Sequence, residues 1–76
     1  MHTKTTFPEQ IARSVGAAIE QAGRTSTSVA DAIGIPRSTL RRRLIGATPF
    51  TVAEIEMVAI HLDMTPAALM LTQAAA

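Results

Sequence analysis

Residues 28–46, SVADAIGIPRSTLRRRLIG, decide how this chain is to be read. Val29, Ala30 and Ile33 recur at helical spacing and stop at Gly34. Leu40 and Leu44 then mark a second short helix, about residues 36–45, that closes at Gly46. Pro36 suits that helix's first turn, where an amide has no intrahelical partner. Gly34 is expected to take the positive φ of a tight turn, Ile35 to plug the turn into the core, and Ala30 to be small so that the two helices cross closely. The second helix carries Arg37, Arg41, Arg42 and Arg43 with no acidic residue of its own, so it is expected to present an unbalanced basic face.

The rest of the chain supports these two helices with three more. A first helix, about residues 7–22, buries Ile11, Val15, Ala18, Ile19 and Ala22; Thr6 and Glu9 have capping-box spacing, Pro8 fits the first turn and Gly23 supplies the stop. The second, about 26–33, starts in a run of Thr and Ser able to cap it. A fourth, about 52–62, repeats the capping-box spacing at Thr51 and Glu54 and is expected to turn Val52, Ile55, Val58, Ala59 and Leu62 inward. A fifth, about 66–72, opens with Thr65 as cap and Pro66 at its first position, and the final Gln-Ala-Ala-Ala is expected to fray. No hairpin signal or alternating run argues for a strand. The expected fold class is therefore all-α, a compact bundle of five short helices forming one domain over residues 1–76, with an ordered core of about 6–72.

Composition narrows the function. With 76 residues there is material for a single domain, and with no cysteine neither a disulfide framework nor a thiolate metal site can hold it together. Apolar residues make up 47% of the chain, yet their runs fall far short of the roughly 18 needed to cross a bilayer. The N-terminal residues lack a signal-peptide core, so a cytoplasmic location is expected. The net charge of +1 hides a polarity, since all seven basic residues precede position 44 and Glu54, Glu56 and Asp63 follow it. A positive end of this kind attracts phosphates.

From about residue 26 to residue 70 the chain resembles the helix-turn-helix domains of phage Cro and lambda-repressor type regulators, the XRE-like family. The resemblance rests on Val29, Ala30, Ile33 and Gly34, then Ile35, Leu40 and Gly46, then Ala59, Leu62, Met64 and Leu69. It implies a lambda-repressor-like arrangement with the second and third helices as the helix-turn-helix, and a Cro-like or immunity-repressor function in transcription regulation. Two positions depart from the family pattern. Ser26 stands where many relatives have a phosphate-bracing glutamine, leaving that contact shorter, water-mediated or absent. Leu44 and Ile19 stand where relatives often pair a glutamate with an arginine, and an Ile19–Leu44 packing contact is expected in its place.

Placed on a wheel of about 100° per residue, Ser38 and Arg42 lie opposite Leu40, with Arg41 and Arg43 on the flanks. The resemblance implies Arg37, Ser38 and Arg42 as the base contacts in the major groove, and the wheel agrees for Ser38 and Arg42. Arginine can donate two hydrogen bonds to O6 and N7 of guanine, so guanines are expected in the half-site. Phosphate contacts are expected from Arg41 and Arg43, from Ser26, Thr27 and Ser28 at the start of the second helix, from Thr39, and from Thr48 and Thr51 before the fourth. Ser38 and Thr39 have a plainer reading too, as first-turn residues satisfying amides.

The expected partner is double-stranded DNA with a palindromic operator, bound by a weak homodimer that forms on the DNA itself or before it. Met64, Pro66, Met70 and Leu71 are the candidate dimer patch, because one short helix cannot bury that many apolar side chains. Met57, Met64 and Met70 also read as core filler. His2 and His61 are isolated, so no metal is expected; no cofactor or small-molecule ligand is expected either. Nothing resembles a nucleophile, a phosphate loop or an acid–base pair, so the expectation is a protein that is not an enzyme. The alternative is a helix-turn-helix module for protein contacts, such as the antitoxin-like partner of another chain.

Overall fold

In a computed structural model, which describes residues 5–73, four of the five helices start where a local side chain satisfies a first-turn amide. The order is α1 (Phe7–Gln21), α2 (Ser26–Ile33), α3 (Arg37–Leu44), α4 (Val52–His61) and α5 (Pro66–Met70), with no strand among the described residues. At α1 the Thr6 hydroxyl accepts from the Glu9 amide at 3.3 Å, while the Glu9 carboxylate accepts from the Thr6 amide at 3.1 Å and from its hydroxyl at 2.7 Å. The Thr6 bonds hold the Glu9 carboxyl below its ordinary range. Thr51 and Glu54 form the same reciprocal box at α4, and Thr65 caps α5 by accepting from the Ala68 amide. A third box was not anticipated: Thr25 and Ser28 cap α2 reciprocally, with a serine hydroxyl in the place usually taken by Glu or Gln. The expected fraying of the tail falls largely on residues 74–76, outside the described ones.

The stops follow from backbone conformation. Gly34 ends α2 at φ 77°, and both its own amide and that of Ile35 bond back to the Ala30 carbonyl. Nothing lies within 4 Å of where a Cβ on Gly34 would sit, so a larger residue there meets conformational strain and no clash. After α4 the left-handed position is held by Asp63, at φ 59°, a residue type that tolerates this region better than most. Pro36 sits one residue earlier than expected: it is the N-cap of α3, with an extended ψ of 142°, and its carbonyl receives the amides of Thr39 and Leu40.

All five helices contribute to one core. Val15 from α1, Val29 and Ala30 from α2, Leu40 from α3, Val58 and Ala59 from α4, and Leu69 from α5 are completely shielded from water. Ala30 has no exposed surface, consistent with the close approach of α3 that its size permits, and Ile35 packs half-buried against the cluster. Met64 and Met70 pack on the same core. Two inward assignments are corrected. Val52 is 88% exposed, because as the first residue of α4 it precedes the turn that meets the core. Ala22 is exposed at the C-cap of α1, and the face it was assigned to is widened instead by Ala12 and Ala17.

Candidate nucleic-acid interface

Burying Leu40 as α3 packs on α1 and α2 fixes which side of α3 faces out. Arg37, Ser38, Arg41 and Arg42 are exposed and Thr39 is half-buried. At about 100° per residue, Ser38 and Arg42 sit within roughly 20° of the direction opposite Leu40. Ser38 and Arg42, two of the three expected base-reading residues, thus share one outward side, while Arg37 lies about 60° from Leu40, exposed at the N-terminal end of α3.

Two of the four arginines of α3 are paired with acids on other helices, which corrects the expectation drawn from the helix alone. Asp31, in the last turn of α2, takes Arg37 in a two-pronged pair: Nε donates to Oδ1 at 3.2 Å and Nη2 to Oδ2 at 2.9 Å. Both side chains remain open to water, at 66% and 55% exposure. The bond lowers the Asp31 carboxyl and raises the Arg37 guanidinium from their ordinary values.

Arg43 turns the other way. Its Nε donates to Glu54 Oε1 at 2.9 Å, its Nη2 to Oε2 at 3.2 Å, and its Nη1 to the Thr48 hydroxyl at 2.7 Å. Glu54 also accepts from the Thr51 amide at 2.9 Å, so one carboxylate both caps α4 and ties α4 to α3. These side chains are only 19% and 10% exposed. The Arg43 hydrogen bond, ahead of the Thr51 amide, holds the Glu54 carboxyl below its ordinary range despite burial, which acts to raise it. Arg43, expected at a phosphate, is therefore committed inside the fold, and Arg41 and Arg42 are the α3 arginines without an ion-pair partner among the described residues.

The hydroxyls expected at phosphates divide in the same manner. Ser26 and Thr27 are exposed at the first turn of α2, where amides have no earlier carbonyl of the helix to bond. Ser28 accepts from the Thr25 amide and donates to the Thr25 carbonyl at 2.9 Å, so its hydroxyl proton is used locally. Thr48 and Thr51 each accept an internal bond, from Arg43 and from the Glu54 amide, and keep a hydroxyl proton to donate.

In the candidate dimer patch, Pro66 is exposed and Leu71 is 77% exposed, whereas Met64 and Met70 are half-buried on the core. Ile19 and Leu44 belong to the same apolar cluster, Ile19 within it and Leu44 packed on its edge over Gly16 of α1. Among the described residues no group of His, Cys, Asp or Glu could hold a metal ion, and no helix is long and apolar enough to cross a membrane.

Reading the sequence missed Asp31 and the second role of Glu54. The available signal was an acid six residues before Arg37, across the turn, and another eleven after Arg43. Neither separation marks a pair until the helices are placed.

A comparison with curated proteins finds no match. A family model, the BetR domain, matches residues 4–76. The match runs over nearly the whole chain, which therefore belongs to the BetR domain family, small helical domains of helix-turn-helix type.

Proposed function

We propose that this domain is a sequence-specific regulator of transcription that inserts α3 into the major groove of double-stranded DNA, in the manner of Cro-like repressors. The observation that carries the reading is the outward face of α3, where Ser38, Arg41 and Arg42 stand exposed beside Arg37 on a helix pinned by Leu40. Membership in a helix-turn-helix family supports it. Arg42 and Arg37 donate to guanine edges and Ser38 contacts a neighbouring base. Arg41, the exposed amides of Ser26 and Thr27, and the hydroxyl protons of Thr48 and Thr51 hold the phosphates and set the register. The domain works by binding alone, without cofactor or catalysis. Two copies on a palindromic site, with half-sites about one helical turn apart, give the affinity that one small module lacks; Pro66 at the start of α5 and Leu71 just past its end are the apolar surface offered to that contact.

Selection from a pool of random duplexes at about 0.15 M salt tests the proposal. A palindromic, guanine-containing motif is the expected result. Recovery of unpatterned DNA, and that only at low salt, refutes it and favours a protein-contact module, whose apolar interface would be far less sensitive to ionic strength.

A further inference from the structure

Arg37 uses one edge of its guanidinium on Asp31 and keeps the other. Nε and Nη2 lie along the side of the planar group, and both donate to the carboxylate. The remaining paired donors are one N–H on Nη1 and the second N–H on Nη2, which form the terminal edge. That edge is not consumed, and the side chain as a whole is 66% exposed. An isolated arginine can approach a base by either edge and loses rotamer freedom when it does so. Here one edge is occupied, and a carboxylate on the neighbouring helix holds the plane.

We infer that Asp31 is a positioning residue for base recognition: it orients Arg37 so that only its terminal edge is available as a bidentate donor, suited to O6 and N7 of a guanine. The inference rests on the DNA-binding reading above. Asp31 carries a cost along with the benefit. Its charge offsets that of Arg37 and stands close to where phosphates would lie, so it lowers affinity for DNA of any sequence while sharpening the choice of base. A surface ion pair with a merely structural role does not separate these two quantities.

The test uses the whole chain as wild type, Asp31→Ala, Asp31→Asn, Arg37→Ala and the Asp31→Ala/Arg37→Ala double variant. Each goes through the random-duplex selection, and each is titrated with one arbitrary duplex over a range of salt. Arg37→Ala is expected to erase a guanine preference of about 5- to 150-fold at one position in each half-site. Asp31→Ala is expected to weaken the preference at that same position by roughly 2- to 13-fold, the loss from releasing one immobilised side chain. It should also raise affinity for the arbitrary duplex. Asp31→Asn, which keeps the shape but only one acceptor oxygen, falls between and guards against a folding defect in the alanine variant. The double variant should match Arg37→Ala. Unchanged preference in Asp31→Ala overturns the inference, as does loss at a different position, which would mean that Asp31 reads a base itself. A wild-type pool without any motif removes the DNA-binding reading, and this role with it.

Discussion

Replacing Glu54 by glutamine isolates the contact that joins the candidate recognition helix to the rest of the fold. Glu54 is 8% exposed and accepts from Arg43 at 2.9 and 3.2 Å and from the Thr51 amide at 2.9 Å. Glutamine preserves the volume and one carbonyl oxygen, but turns the other oxygen into an N–H donor facing an arginine that has only donors to offer. A hydrogen bond to a charged group is worth about 1.5–3 kcal/mol. Stranding one partner of a fully buried pair costs about 3–5 kcal/mol. Because this pair keeps some contact with water, the expected loss is about 2 kcal/mol, inside the first range and below the second. For a domain of this size that corresponds to a fall of about 8–16 °C in melting temperature. The whole 76-residue chain has about 4–11 kcal/mol to lose. Thermal unfolding followed by circular dichroism measures the effect. The pH dependence gives a second check. The Glu54 carboxyl is depressed in the folded state, so its contribution is complete above the ordinary value of 4.5 and fades as pH falls through the lower folded value. The gap between wild type and Glu54→Gln should thus be full at neutral pH and shrink in acid. A variant that melts within about 2 °C of wild type, or a gap that ignores pH, refutes this reasoning.

Four further outcomes follow from the same geometry. Arg42→Ala should relax the sequence preference at one position. Arg41→Ala should weaken all duplexes alike and flatten the salt dependence by about one unit. Arg43→Ala should instead show its main effect in the melting temperature, and parity of Arg43→Ala with Arg41→Ala in stability would contradict the role assigned to Arg43. Ile19→Ala and Leu44→Ala should be coupled in a double-mutant cycle by at least about 0.5 kcal/mol if the two side chains share the packing of α1 on α3; additive losses in the unfolding midpoint would place them in independent contacts.

Features decided within about one helical turn were legible in the sequence. Thr6 with Glu9, and Thr51 with Glu54, mark helix starts because the hydroxyl and carboxylate must reach amides three residues away, a distance set by helix geometry alone. Gly34 marks the turn because the left-handed backbone it adopts strains most other residues. The end of α2 follows from Gly34, and the outward direction of Ser38 and Arg42 follows once Leu40 is recognised as core. The Thr25–Ser28 box escaped notice because a serine hydroxyl serves where a longer Glu or Gln is the usual cue.

The exposure of Val52 and the pairing of Arg37 and Arg43 depend on how helices cross. Periodicity gives the apolar side of α4, but the first residue of a helix projects before that side reaches its neighbours, and the entry angle is set by the packing of α4 on α2 and α5. In the same way, the residues of α3 announce four positive charges, all on or beside an outward face. By itself, then, the sequence determined an all-helical chain, the turn between α2 and α3, and the basic character of α3, since each follows from neighbours a few residues apart. Only the tertiary structure decided which arginines remain unpaired, because Asp31 and Glu54 approach α3 from helices whose positions are set by the packing of a shared core around Leu40.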